Sequence, residues 1–160
     1  MTTYDPKKDC CPEFNPAPWD KKTFEWQNKK FIKNSVFTFL HIPLTFGRAM
    51  KRLTEQAEKA SAQTPDMMAL SDHTSAWNMD LYLAVDRDVP EATNTAISGK
   101  MVSKVYEGPF GNTGKWCKDF EQYVKQLGHG EIKKWYMWYT TCPKCAKKYG
   151  KNYTVIIGQV

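Results

Sequence analysis

Two acidic residues, Asp80 and Glu107, each lie within two positions of a tyrosine in a predicted strand. Asp80 lies two positions before Tyr82, and because side chains alternate along a strand, both point to one face. Glu107 follows Tyr106 at a strand end and comes directly before a Gly-Pro turn. A carboxylate in an aromatic pocket attracts a cationic ligand, or serves as a general acid or base. Asp80 and Glu107 are therefore the predicted catalytic acids.

Each acid also has a structural interpretation that the sequence leaves open. Asp80 could accept a hydrogen bond from a neighbouring strand or from a Trp indole. Glu107 could be a solvated or capping residue, and by strict alternation it shares the helix-facing side of its strand with Val105. The types of these residues do not decide between the two roles.

Aromatic residues make up 14% of the chain and include six tryptophans, enough to line a concave ligand site. In the segment 135–139, neighbouring side chains face opposite ways, so only about half of them reach one face. Trp116 lies on a helical apolar stripe and is expected in the core. The predicted ligand-binding residues are Trp77, Tyr82, Tyr106, Trp135, Tyr136 and Trp138.

The cysteines suggest a separate site. Cys142 and Cys145 form a C-x-x-C pattern after a predicted strand, and Cys10 and Cys11 are adjacent near the N-terminus. Together the two pairs could bind a structural zinc ion that clamps the N-terminal segment to the domain. Unligated thiols with a turn-forming role are the other main interpretation. A redox dithiol is disfavoured because the surrounding βαβ pattern is missing.

The order of elements predicts an α+β domain with a duplicated βαββ arrangement. Apolar residues recur at steps of three and four in both predicted helices, and extended apolar runs mark the strands. We expect a largely antiparallel sheet with two helices on one face and a concave ligand cleft on the other. The predicted strands are 36–41, 67–72, 79–85, 101–106, 133–141 and 153–160, and the predicted helices are 44–63 and 113–127.

Four prolines mark residues 1–32 as an irregular N-terminal arm, held to the domain by aromatic residues such as Phe14 and Trp19. The domain proper is predicted over 33–160, with halves at about 33–90 and 94–160. The lysines are spread in doublets and arginine is scarce, so the net charge of +6 indicates a solvated basic surface without a direct nucleic-acid partner. No apolar run suits a membrane helix or a signal peptide, which favours the cytoplasm.

The duplicated order, with Val105-Tyr106-Glu107-Gly108-Pro109-Phe110 at the second strand–helix junction, resembles the GyrI-like small-molecule-binding domain over residues 33–160. That resemblance implies drug sensing or, as in some stand-alone members, hydrolysis of strained cyclopropane rings. The family carries a buried glutamate on its last strand, where this chain has Val155. The acid-x-Tyr pattern instead occurs at Asp80 and Tyr82, which makes Asp80 the substitute candidate.

Three functions follow as expectations. The first is binding of a small aromatic or hydrophobic molecule in a cleft between the two halves. The second is a small hydrolase of reactive xenobiotics that uses Asp80 or Glu107. The third is a protein-interaction or inhibitor module, which predicts an exposed apolar patch.

Overall fold

The computed structural model describes residues 11–40, 42–43, 45–141 and 143–160, with only the backbone at 42, 43 and 143. The fold is α+β. No helix in this part of the chain is long and apolar enough to cross a membrane. Its elements, in chain order, are β1 (Lys22–Phe39), β2 (Ile42–Pro43), α1 (Phe46–Lys59), β3 (Ala69–His73), β4 (Asn78–Ala84), β5 (Thr93–Glu107), α2 (Thr113–Gln126), β6 (Lys134–Tyr139), α3 (Pro143–Tyr149) and β7 (Tyr153–Gln159).

The chain forms two compact units. One contains residues 26–98, and the other contains the residues up to 25 together with 99–160. The strands β1 and β5 each contribute residues to both units because the unit boundaries fall within them. The N-terminal arm therefore belongs to the same unit as the second half of the chain.

In the unit of residues 26–98, β4 lies between β1 and β3, and both pairings are antiparallel. One face of these strands packs against α1, as the helical spacing predicts. Alternation along β4 sends Leu81 and Leu83 to the helix and Asp80 and Tyr82 to the other face. The core contains Ile32, Val36, Ala49, Leu53, Ala57, Met79, Leu81 and Leu83.

In the other unit, β7 lies between β5 and β6, again with antiparallel pairing. The predicted stripe of α2 is confirmed at Trp116, Phe120 and Val124, which pack against Val102 and Ile156. Leu127, the last residue of the predicted helix, follows the last residue of α2 and is 43% exposed. The helix ends one residue too early to bury it.

The predicted irregular arm is too long. The strand β1 begins at Lys22, whereas the sequence favoured irregular structure to residue 32 and a strand only from residue 36. The last proline of the arm is Pro18, so no proline opposes a strand beyond it. Asn28 adopts a φ of 50°, which interrupts the alternation of β1 and conceals the pattern. The pairs of lysines on either side of Asn28 also conceal the strand pattern of β1.

The helix α3 was missed because its C-P-x-C segment was interpreted as a metal-binding or turn segment. Pro143 is its first residue, a position that proline favours since its fixed φ suits the first turn and no N–H partner is needed. Gly150 follows the last residue with a φ of 71°, a conformation that favours glycine at a helix end. Both signals are present in the sequence.

We predict that Gly158→Ala destabilises the protein. A Cβ atom at Gly158 would lie 2.8 Å from Phe120 Cε1 and 3.1 Å from Ile132 Cγ2. Phe120 is fully buried and cannot move aside, so we expect a loss of about 1–3 kcal/mol in the free energy of unfolding, measured by urea denaturation. Gly114→Ala is the control, since nothing lies within 4 Å of that site. Equal stability of the two variants would contradict the packing described.

Candidate functional site

The Asp80 side chain is only 12% exposed and has three polar neighbours. The Lys33 Nζ atom lies 3.2 Å from Asp80 Oδ2. Asn78 Nδ2 donates a hydrogen bond of 3.2 Å to Asp80 Oδ1, and Ser35 Oγ donates one of 3.4 Å to the same atom. A buried carboxylate needs such partners because leaving water is costly for a charge. The charge of the Asp80 carboxylate is therefore balanced by Lys33, and the carboxylate keeps a small opening to solvent.

The strand register explains why these side chains meet. Ser35 of β1 lies opposite Asp80 of β4, and Lys33 lies opposite Tyr82. Alternation then places all four side chains on the face that does not pack against α1. The hydrogen bond from Ser35 corresponds to the structural interpretation of Asp80, in which a neighbouring strand supplies a donor. We call this set, together with Asp72, the acidic face.

The Lys33 ammonium has a second partner on the acidic face. Its Nζ atom lies 5.6 Å from the centroid of the Tyr82 ring, within the range of a cation–π contact. Tyr82 is 5% exposed, and Phe31 packs edge-on against it at 6.2 Å between centroids. A carboxylate and an aromatic ring thus hold one primary ammonium between them. The same combination would hold the cation of a ligand.

Sequence reasoning missed Asp72. It lies directly opposite Asp80 in the pairing of β3 with β4, so both carboxylates belong to the same face. Like charges at directly opposite positions repel each other, which makes the nearby Lys33 ammonium more important for this arrangement. The hairpin register is the signal that could have revealed the pair, but the length of its turn was not evident from sequence.

The second predicted acid, Glu107, is exposed and lies at the end of β5. The prediction that it shares the helix-facing side with Val105 is wrong. Lys104 and Tyr106 both contact Asp119 of α2, so residues 105 and 107 point to the opposite face. The error arose because the sequence does not show which parity of β5 packs against the helix.

The predicted aromatic ligand residues belong to two different compact units. Tyr82 lies beside Asp80, whereas Tyr106 and Trp135 pack on the core around α2, and Trp77 is 53% exposed. Tyr106 stacks on Trp116 at 5.6 Å, and its hydroxyl donates a hydrogen bond of 2.7 Å to Asp119. Burial, followed by that hydrogen bond, raises the pKa of Tyr106 well above its usual value. Tyr106 and Trp135 therefore serve the core.

The N-terminal arm covers the buried Trp138. The rings of Phe14 and Trp19 each pack edge-on against Trp138 with centroids 5.2 Å apart. Ser103 Oγ donates a hydrogen bond of 2.6 Å to the Trp19 carbonyl oxygen, and Asp20 accepts one from a β5 amide. The expectation that arm aromatics pack on the domain is confirmed. Tyr136 and Trp138 are each 2% exposed, so neither forms an open wall.

The predicted zinc ligands are described only in part. Cys10 and Cys142 lie outside the described residues, whereas Cys11 and Cys145 lie within them. Tyr149 of α3 donates a hydrogen bond of 2.8 Å to the Cys11 carbonyl oxygen, which ties the arm to the helix that carries Cys145. The part of the chain that the structure describes contains no cluster of three or more metal-binding side chains. The four-cysteine site stays a prediction.

Four large apolar side chains are exposed near the end of β1. Their exposed fractions are 49–60%, and the four residues are Phe37, Phe39, Leu40 and Trp77. The rings of Phe39 and Trp77 pack edge-on with their centroids 5.5 Å apart. Clustered aromatic exposure is unusual for a monomer surface. Trp77 was expected in a ligand wall and instead belongs to this exposed group.

We predict that Asp119 contributes stability that depends on pH. Hydrogen bonds from Lys104 and then from Tyr106 hold its pKa below the usual value. The contribution is therefore complete above the unfolded pKa of about 3.9 and disappears as the pH falls through the lower folded pKa. Urea denaturation of wild type and Asp119→Asn should differ most at neutral pH and converge in acid. Lys104→Met should reduce this difference. A gap of constant size down to about pH 2 would contradict the assignment.

Solved structures with the same fold share little sequence with this chain. The EcmrR C-terminal domain is 12% identical, with a TM-score of 0.66 over 88% of this chain and 96% of that one. A hydrolase from Listeria innocua is 13% identical, with a TM-score of 0.61 over 88% and 91%. SAV2435 bound to tetraphenylphosphonium is 12% identical, with a TM-score of 0.52 over 88% and 93%.

Similarity at the level of sequence comes from a family comparison. No curated protein sequence matches this chain. The full length, residues 1–160, matches the family described as bacterial hydrolase, and that match includes the N-terminal arm together with both compact units. The chain therefore belongs to the bacterial hydrolase family.

Proposed function

We propose that this protein binds a small aromatic or hydrophobic molecule, preferably a cationic one, on the acidic face around Asp80 and Tyr82. The observation that carries the proposal is the position of the Lys33 ammonium. It lies 3.2 Å from the Asp80 carboxylate and 5.6 Å from the Tyr82 ring centroid, where it does what a ligand cation would do.

Exchange of Lys33 for a ligand is physically reasonable. The Lys33 side chain is 35% exposed, and a long flexible stem can carry its ammonium back into water at little cost. Asp80 would keep its hydrogen bonds from Ser35 and Asn78 during the exchange. A delocalised organic cation loses less hydration than an ammonium when it enters such a site, which favours the ligand over Lys33.

Two further features support a GyrI-like assignment. Each unit contains a strand, a helix and two more strands, with the last strand placed between the other two. We propose that the units are copies of one βαββ motif. The fold neighbour SAV2435 is bound to tetraphenylphosphonium, a large aromatic cation, and this supplies a rational first probe.

The central binding experiment titrates tetraphenylphosphonium into wild type and variants by isothermal calorimetry. Lys33→Met removes the competing ammonium, so we expect affinity to increase about tenfold, or about 1.4 kcal/mol. Asp80→Asn removes the charge that attracts the cation, so affinity should fall about tenfold or more. Triphenylphosphine oxide is aromatic but neutral. Its affinity should therefore neither increase in Lys33→Met nor fall in Asp80→Asn as that of tetraphenylphosphonium does.

A matched surface pair provides the control. Lys30 Nζ also lies 3.2 Å from a carboxylate, Asp88 Oδ1, but both side chains are well exposed, and Lys30 has no cation–π contact with any aromatic ring of the described residues. Lys30→Met should leave tetraphenylphosphonium affinity unchanged. Equal effects of Lys30→Met and Lys33→Met would indicate a general charge effect and would refute the proposed site.

Hydrolysis of a reactive small molecule is the second candidate. It is favoured by the membership in the bacterial hydrolase family and by the fold likeness to a protein named as a Listeria innocua hydrolase. In this proposal Asp80 accepts a proton from water, the water oxygen bonds to the strained ring carbon, and the electron pair of the breaking ring bond goes to the other carbon. The Asp80 carboxyl then gives its proton to that carbon, so one water is added in total and the carboxylate is regenerated. Tyr82 holds the planar substrate. Glu107 is the other predicted acid, although it is exposed.

The hydrolase proposal predicts turnover of a cyclopropane electrophile to a product heavier by one water, read by mass spectrometry. Asp80→Asn should abolish turnover while binding of this uncharged electrophile persists, because only cation binding needs the Asp80 charge. Glu107→Gln should retain turnover because Glu107 lies on a solvated strand end. Turnover that survives in Asp80→Asn and disappears in Glu107→Gln would assign the catalytic role to Glu107 and not to Asp80. Absence of product in wild type, with binding intact, would exclude this chemistry for the substrates tried.

The remaining expectations stay predictions. The interaction-module alternative predicted an exposed apolar patch, and the exposed group that includes Phe39 and Trp77 supports it. A structural zinc at the four cysteines, a cytoplasmic location and the lack of a direct nucleic-acid partner rest on sequence alone.

A further inference from the structure

Exposed aromatic rings lie on the same sheet face as the Asp80 carboxylate. In the pairing of β1 with β4, Phe37 lies directly opposite Asn78, and Asn78 Nδ2 donates its hydrogen bond to Asp80. Alternation along β1 therefore places Phe37 and then Phe39 on the acidic face, beyond Ser35. The charged site and the exposed rings are two ends of one surface.

This surface is closed at one end of β1 and open at the other. Phe31 is fully buried at the closed end. The Lys33 side chain is 35% exposed, and at the open end Phe37 is 54% and Phe39 is 49% exposed. An elongated molecule that replaces the Lys33 ammonium would therefore extend toward Phe37 and Phe39, because the face is closed at Phe31.

Trp77 completes the open end of this surface. It precedes Asn78 in the chain, is 53% exposed and packs edge-on against Phe39, with ring centroids 5.5 Å apart. Its carbonyl oxygen accepts a hydrogen bond of 3.0 Å from the Thr38 amide, which ties the residue before β4 to β1. The exposed rings are thus carried by paired backbone, and a preorganised surface reduces the entropy that binding must overcome.

Charge is confined to one end of the surface. Asp72 and Asp80 lie opposite each other, and the Lys33 ammonium lies beside Asp80. The segments 36–40 and 74–79, which supply the exposed rings, contain no charged residue. A ligand that matches both ends therefore carries a positive charge at one end and an uncharged apolar group at the other.

Strand geometry gives the length of such a ligand. A strand advances about 3.3 Å per residue, so Phe37 and Phe39 lie about 7 Å and about 13 Å along β1 from Ser35, which is paired with Asp80. A cation joined to a ring by a single carbon keeps that ring close to the carboxylate. A flexible chain of several carbons carries the ring to the open end.

We propose that the exposed rings of Phe37, Phe39 and Trp77 form a second subsite of the acidic face, which selects an elongated amphiphile. In this ligand a flexible chain joins a cation to an aryl or alkyl group. The cation replaces the Lys33 ammonium beside Asp80, and the apolar group covers the exposed rings. This proposal rests on the cation site proposed above and adds the residues that select for ligand length.

Calorimetry with two quaternary cations on the full-length protein tests the subsite. Benzyltrimethylammonium is short, and phenylhexyltrimethylammonium carries the same charge and the same ring on a longer chain. Wild type should bind the long cation about tenfold more tightly or better. Phe37→Ser should weaken the long cation about tenfold and leave the short one unchanged, and Trp77→Ser should act in the same direction. Asp80→Asn should weaken both cations by the same factor.

Phe110 provides the matched control for Phe37. It is an exposed phenylalanine of the other compact unit, with 44% exposure. Phe110→Ser should leave both affinities unchanged, which separates the subsite from general attraction of a longer chain to apolar surface. Equal losses of long-cation affinity in Phe110→Ser and Phe37→Ser would overturn the subsite. Because Phe37 is more than half exposed, Phe37→Ser should melt close to the wild-type temperature.

The variants also separate failure of the subsite from failure of the cation site. If only the subsite is wrong, Asp80→Asn weakens both cations and Phe37→Ser weakens neither. If the cation site is wrong, Asp80→Asn weakens neither cation, and both proposals are refuted. A long cation that loses affinity in Phe37→Ser but not in Asp80→Asn would make the exposed rings an independent apolar surface, as the interaction-module alternative expects, and would overturn the proposal.

Discussion

The ion pair between Lys33 and Asp80 is the interaction on which the acidic face depends. Two carboxylates, Asp72 and Asp80, lie opposite each other on adjacent strands, and the second is nearly buried. Without a cation beside them, their repulsion and the loss of hydration would oppose the pairing of β3 with β4. Lys33 supplies that cation from β1, and its position follows from a strand register that apolar packing against α1 fixes.

The carboxylates of this chain illustrate how environment assigns roles to one chemical group. Asp119 bonds to Lys104 and Tyr106 at the exposed side of α2, and its low pKa makes it a stabilising surface anion. Glu107 is solvated at a strand end. Among these three carboxylates, Asp80 alone combines burial, a single cationic partner and an aromatic neighbour.

The local hydrophobic pattern of the sequence predicts the regular helices and strands. It does not predict which side chains meet when that depends on pairing between strands distant in sequence. The helical stripe of α2 and the alternation at Asp80 and Tyr82 follow from periodicity alone. Lys33 could not be identified because it lies 47 positions before Asp80 in the sequence, and only the register of β1 with β4 brings the two together. Trp135 was misplaced for a related reason: alternation divides the residues of β6 into two faces but does not say which face meets α2.

The most direct test observes Lys33 itself. Nuclear magnetic resonance of the Lys33 side-chain ammonium and the Asp80 carboxylate carbon should report their pairing before and after saturation with tetraphenylphosphonium. If the ligand replaces Lys33, the ammonium signal should broaden by exchange with water and the carboxylate signal should shift, whereas Lys30 and Asp88 stay unchanged. Binding that leaves the signals of Lys33 and Asp80 unaltered would contradict the account and place the ligand elsewhere.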